Sequence, residues 1–185
     1  MLKLYGGARS RASIVHWYLE ELRVPYEFVK LDMQAGEHLK PEYLAINPFG
    51  KVPAIVDGDF KIWESGAILL YLADKYAKTP LSPEELAVFC QWVLFANASL
   101  GPGIFGEENR EREMSRLLTP LNEIFSKQPF LLGNEFTVAD VAVGSILNYI
   151  PILLKLDLSS YPEVLNYMKQ LSDRPAFQKS IGGRA

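Results

Sequence analysis

Apolar positions along the chain switch between two periods, and the switch divides it. "LKLY" (2–5) is short, partly alternating and bounded by Gly6-Gly7, which predicts a strand. "SRASIVHWYLEELRV" then places Ile14, Val15, Tyr18, Leu19 and Leu22 at helical spacing. "YEFVKLD" (26–32) predicts a second strand with a less clean alternation of Phe28 and Leu31, and the polar stretch from Met33 to Tyr43 leaves room for a short helix. "VPAIVDGDFKIWES" contains two strands around Asp57-Gly58, a strong hairpin signal, and "GAILLYLADKY" (66–76) is helical again. The order β-α-β-α-β-β-α predicts a small α/β unit with an antiparallel edge pair.

"AKTPLSPEE" (77–85) punctuates the chain, with Ser82 as a helix N-cap and Pro83 at the first helical position. Everything beyond reads as helix. "FTVADVAVGSIL" (136–147) carries its own start signal: Thr137 as N-cap, Asp140 three residues on, and Phe136 facing Val141 as a hydrophobic staple. "YPEVLNYMKQLSDRPAFQKSI" supplies a last helix and a proline-marked break. The reading is an α/β domain over 1–76, a linker over 77–83 and an all-α domain over 84–185.

Composition narrows what such a pair of domains does. With 185 residues and 49% hydrophobic content, the chain can bury a sizeable core. The net charge is −3 and no dense Lys/Arg block occurs, so a nucleic-acid partner is not expected. Cys90 is the one cysteine, which excludes an intrachain disulfide and a thiolate cluster. His16 and His38 are the only histidines, so no metal site is expected. Without a signal-like start or an apolar run of about 18 residues, the expectation is a soluble, cytoplasmic protein with no membrane partner.

Three short stretches carry candidate chemistry. In "NPFGKVPAI" (47–55), Pro53 opens a strand, where its missing N–H is tolerated. A cis Val52–Pro53 bond would turn the Val52 peptide edge outward to pair with an extended peptide; the bland alternative is an ordinary strand-opening proline. In "WESGAILLYL", Ser65 heads a helix, either as a simple cap or, with the following N–H groups, as a small anion site, and Glu64 beside it suits an amine. "YGGARSRAS" (5–13) crowds Tyr5, Arg9, Ser10 and Arg11 into one strand–helix turn.

Strand–helix–strand, "NPFGKVPAI", "WESGAILLYLADKY" and a helical domain with "FTVADVAV" and "RPAF" follow one another in an order that resembles the glutathione transferase family. The resemblance implies a thioredoxin-like N-terminal domain, an all-α C-terminal domain, glutathione as co-substrate and a homodimer. It implies that Val52, beside a cis Pro53, binds the cysteinyl backbone of glutathione, that Glu64 and Ser65 bind its γ-glutamyl end, and that Lys51 meets its glycyl carboxylate. Phe49 matches an aromatic that some classes insert into the partner subunit, the alternative being a loop aromatic packed in its own subunit. His38 stands where some classes place a glutathione contact, whereas His16 and Cys90 read as packing residues.

The opening turn then has a specific task. A free thiol titrates near ~8.5, and lowering that by about two units requires roughly 2.7 kcal/mol of preference for the thiolate. One hydrogen bond to a charged group supplies about 1.5–3 kcal/mol and a helix N-terminus about 0.3–1 more. The donor depends on register. Read as "Y-x-x-A-R-x-R", the turn resembles tyrosine-type classes, with Tyr5 the donor and Arg11 a supporting cation. Read as "A-R-S-R-A-S", it resembles the cysteine-type turn with Arg9 at the cysteine position and Ser10 following. Aligned on Arg11 with the serine-type classes, the serine position falls on Gly7. Ser10, Arg11, Arg9 and Tyr5 all remain candidates.

The overall cast looks most like the cyanobacterial chi class, which implies isothiocyanates and aryl halides as electrophiles in detoxification. Phe95, Leu100 and Phe105 are candidate walls of an open electrophile pocket. A thiol–disulfide oxidoreductase is expected to need a cysteine in the opening turn, and a non-catalytic ligand carrier or assembly module is the remaining alternative.

Overall fold

The computed structural model describes residues 1–7 and 10–184. Its N-terminal half is a mixed sheet of β1 (Leu2–Gly6), β2 (Tyr26–Lys30), β3 (Ala54–Asp57) and β4 (Phe60–Trp63), in the order β2-β1-β3-β4. Helix α1 (Ala12–Leu22) crosses between β1 and β2, which therefore pair in parallel, Leu2 opposite Tyr26 and Gly6 opposite Lys30. β3 runs antiparallel to β1, and β4 returns from it through a two-residue loop in which Gly58 has φ of +62°. Leu2 and Leu4 are buried on the face that α1 and α3 (Ser65–Lys75) cover. Lys3 and Tyr5 lie on the opposite face, where Tyr5 meets Tyr43 of the short helix α2 (Pro41–Leu44) at 5.8 Å between ring centroids. The polar stretch before α2 adds a 3-10 turn at Glu37–Leu39.

The second half is helical: α4 (Pro83–Leu94), a π segment (Phe95–Leu100), α5 (Gly101–Phe105), α6 (Arg110–Phe125), α7 (Val138–Leu153), α8 (Pro162–Ser172) and α9 (Pro175–Lys179). Ser82 caps α4 as its sequence requires: its Oγ accepts from Glu85 N at 3.2 Å, and the Glu85 carboxylate accepts from Ser82 N at 2.8 Å. α4, the π segment and α5 continue one another over 23 residues, Pro83–Phe105, long and apolar enough by composition to cross a membrane. Glu84, Glu85, Gln91, Asn97 and Ser99 interrupt it, so it is not a continuous apolar run.

α7 is the core of this domain, buried from Val138 through Asn148. Its start is built as expected, with Ala139 N donating to Thr137 Oγ1 (3.3 Å) and Thr137 N to Asp140 Oδ2 (2.8 Å). Asp140 also accepts from Leu131 N and the Tyr167 hydroxyl, each at 2.9 Å. Gly144 lets α7 approach α8, since a Cβ there would collide with the Leu171 side chain.

The two halves are tied by Glu21, whose carboxylate accepts from Trp17 Nε1 (2.9 Å), Arg174 Nε (2.6 Å) and Arg174 Nη2 (2.7 Å). Arg174 in turn lies 3.9 Å from the centroid of Phe136.

Candidate active site at the strand–helix turn

The register brings three chain segments to one end of the sheet. Tyr5 pairs with Ala54 and Ala54 with Trp63, so Gly6-Gly7, Val52-Pro53 and Glu64-Ser65 all leave the sheet there.

Val52–Pro53 is cis. The ladder begins at Ala54, so the Val52 peptide edge stands outside it. The segment is held from behind. Tyr43 Oη and Asn47 Nδ2 both donate to the Lys51 carbonyl, at 2.6 and 2.7 Å, while Asn47 Oδ1 accepts from Phe49 N at 3.1 Å. Burial pushes the Tyr43 hydroxyl up to about 12, which keeps it protonated as a donor across the physiological range. The Lys51 side chain is exposed.

Glu64 has φ of +70° and ψ of 118°, a conformation that a residue with a Cβ holds only under constraint. Ser65 follows at the start of α3, 5% exposed, with the helix's first unsatisfied N–H groups around it. These residues form a compact polar corner beside the cis peptide, with hydrogen-bonding edges suited to an extended peptide and its charged end.

The opening turn lies beside this corner. α1 is regular from Ala12, and the Ser10 hydroxyl both accepts from an N–H of its first turn, as a cap does, and bonds back to Gly7. Ser10 Oγ donates to the Gly7 carbonyl (2.9 Å) and accepts from Gly7 N (3.2 Å) and Ala12 N (3.3 Å). Arg11 Nη2 donates to Asn97 Oδ1 of the π segment. Ser13 Oγ donates to the Ser10 carbonyl (3.0 Å), so its 2.6 Å contact with Tyr149 is one in which the tyrosine hydroxyl is the donor. Arg9 lies outside the described residues.

Ser10, Arg11, Asn97 and Tyr149 form the polar end of a cavity of about 690 Å³. Gly101, Pro102, Phe105, Ile146, Ile152 and Leu153 supply most of its apolar wall, a composition suited to a small apolar molecule with one polar end. Tyr5 does not line it and packs on Tyr43 instead.

Of the walls expected from sequence, Phe105 lines the cavity. Leu100 is fully buried in the core, and Phe95 packs edge-on against Trp92 at 5.6 Å. Phe49 packs edge-on against Trp63 at 4.9 Å yet stays 66% exposed. His16 sits between the rings of Tyr26 and Phe28, and His38 stands in the 3-10 turn; neither lines the cavity. Cys90 is a half-buried residue of α4.

Asn97 and Tyr149 had no sequence motif to announce them. The available signals were weak: an amide inside the apolar "FANASL", and the helical spacing of Ile146, Tyr149 and Leu153.

A mixed four-stranded sheet with a cis-proline corner, joined to a helical domain across an apolar cavity, defines a two-domain class in which a thioredoxin-like unit precedes an all-α unit. The chain belongs to the glutathione S-transferase family: the "Glutathione S-transferase, N-terminal domain" matches residues 1–74, and the "Glutathione S-transferase, C-terminal domain" matches residues 98–175. It is 32% identical to the disulfide-bond oxidoreductase YfcG of Escherichia coli (strain K12), over 98% of this chain and 94% of that protein.

Its fold is similar to the crystal structure of the glutathione transferase URE2P6 from Phanerochaete chrysosporium in complex with oxidized glutathione, with a TM-score of 0.83, 33% identity and coverage of 99% and 96% of the two chains. It is also similar to a glutathione transferase from Burkholderia graminis with two glutathione molecules bound per subunit, with a TM-score of 0.82, 28% identity and coverage of 96% and 86%.

Proposed function

We propose that this protein ionises glutathione at the opening turn and adds the thiolate to small electrophiles, such as isothiocyanates and aryl halides, in detoxification. The observation that carries the reading is the Arg11 guanidinium at the polar end of an apolar cavity, beside the cis-proline corner.

Glutathione binds extended along the Val52 edge, its γ-glutamyl end at Glu64 and Ser65 and its glycyl carboxylate toward Lys51. Its sulfur then lies at the turn, where the Arg11 guanidinium stabilises the anion, the Ser10 hydroxyl being committed as a donor to the Gly7 carbonyl. A guanidinium does this without giving up a proton. The thiolate attacks the central carbon of an isothiocyanate, forming a C–S bond while the nitrogen takes a proton. With an aryl halide it displaces the halide ion. The protein's part is position and electrostatics.

The chi class is the subclass this reading favours. The exposed apolar residues Leu86, Val88 and Leu94 on α4, with Phe49, support a homodimer. The single cysteine supports a cytoplasmic setting.

The test is an ultraviolet titration of the thiolate of bound glutathione, followed by conjugation assays with an isothiocyanate and an aryl halide. The expected result is a thiol pKa below that of free glutathione and turnover of both electrophiles. Binding with an unshifted thiol would instead make the protein a ligand carrier. The 32% identity to a disulfide-bond oxidoreductase supports a second reading, in which the bound thiolate attacks a disulfide and a second glutathione resolves the mixed disulfide. That route needs no cysteine in the turn, and reduction of a model disulfide without conjugation would favour it.

A further inference from the structure

We propose that Asn97 is a positioning residue that aims the Arg11 guanidinium at the site while leaving its positive charge uncancelled, an inference that rests on the thiolate reading above. Asn97 comes from the helical domain, in the π segment that follows α4. Its Oδ1 accepts from Arg11 Nη2. Its Nδ2 faces the start of α3, where a Cβ on Gly66 would come within 2.7 Å of it. Gly66 also directly follows Ser65, so one amide touches both the group proposed to hold the sulfur and the helix start proposed to hold the γ-glutamyl end.

The chemistry of the acceptor decides what this contact does. Arginine carries five donors on a planar group, so one fixed acceptor orients the whole plane and leaves the other donors for an anion. A carboxylate in the same place would orient it as well, but would spend the charge on a fixed ion pair. The described lining of the cavity contains no carboxylate, and no acidic side chain among the described residues forms an ion pair with Arg11. The neutral amide therefore pre-organises the cation without quenching it, which is the condition for stabilising an incoming thiolate. Gly66 fits the same account, because a side chain there would displace the amide from its place between α1 and α3.

The test measures the thiol pKa of bound glutathione in the wild type, Asn97→Asp, Asn97→Ala, Arg11→Ala and the double variant Arg11→Ala/Asn97→Asp, with thermal melts alongside. Asn97→Asp keeps the shape and adds a charge, so it is the variant that remains informative if Asn97→Ala folds poorly. The expected results are a rise of about one unit in Asn97→Asp, a tenfold loss of thiolate below the pKa, a smaller rise in Asn97→Ala, and a double variant equal to Arg11→Ala. If Arg11→Ala raises the pKa and neither Asn97 variant does, the positioning role is overturned while the thiolate reading stands. An Asn97→Asp shift of the same size with or without Arg11 would overturn it too, by making Asn97 act on sulfur directly. If Arg11→Ala leaves the pKa at the wild-type value, the role of Arg11 fails first and that of Asn97 with it.

Discussion

Tyr43 shows how a residue outside the reacting centre sets the geometry of the site. Its hydroxyl and the Asn47 amide hold one carbonyl, that of Lys51, and so fix the peptide that precedes the cis bond. Tyr43→Phe leaves Asn47 alone on that oxygen, and glutathione affinity is expected to fall about three- to tenfold, the equivalent of roughly 1 kcal/mol for one hydrogen bond. Isothermal titration with glutathione measures it. The same side chain also predicts a pH dependence. Its folded pKa of about 12 lies above the ordinary 10, so between those values the unfolded chain gives up the proton first. The contribution is complete below pH 10 and is lost as pH rises toward 12. Burial raises Tyr18, Tyr26 and Tyr167 in the same direction, so urea midpoints should decline from about pH 10 upward.

Legibility in the sequence follows from this scale. Val52-Pro53 and Glu64-Ser65 stood out as a strand opening and a helix start because each is a local pair, while the cis bond and the roles toward glutathione came from the family resemblance. Asn97 and Tyr149 could not, because each is one polar residue on an apolar helix far from the turn it serves. Only the packing of α7 and the π segment against α1 gives them a partner.

Among the elements, α7 depends most on a few side chains. Its cap was legible as Thr137 followed by Asp140, yet the sequence did not reveal that Asp140 is fully buried and also binds Leu131 N and Tyr167 from other parts of the chain. Asp140→Ala strands several buried donors at once and is expected to destabilise the fold by about 2–4 kcal/mol. Chemical denaturation checks this, and the loss should exceed that of Ser82→Ala, whose exposed cap is worth about 1 kcal/mol. The start of α1 was harder to read. A serine before an apolar helix predicts a cap, and Ser10 Oγ does accept from Ala12 N at 3.3 Å, but the sequence did not reveal that the same hydroxyl also bonds back to Gly7. That second bond ties Gly7 to Ser10 beside the cavity.

For the molecule as a whole, the site exists only while the two domains stay docked, since Arg11 belongs to one and Asn97 to the other. Glu21 is central to that docking. Its side chain is 14% exposed and its partner Arg174 29% exposed, so removing the charge should cost less than the roughly 3–5 kcal/mol of a fully buried pair. Glu21→Gln is expected to lower stability by about 2 kcal/mol and to reduce kcat more than glutathione binding. Denaturant melts and steady-state kinetics separate those effects. The exposed apolar face of α4 belongs to the same scale. Leu94, 62% exposed, is expected to be covered in a homodimer, so Leu94→Glu should shift sedimentation toward the monomer.

A fixed arginine, rather than a hydroxyl or a thiol, is the group proposed to keep glutathione ionised. The pH profile of kcat under saturating glutathione tests it most directly, comparing wild type with Arg11→Ala. A charge-assisted hydrogen bond of about 1.5–3 kcal/mol corresponds to an upward shift of about one to two units in the profile. That shift is the predicted result. A profile that keeps its inflection while only its height falls would contradict the assignment.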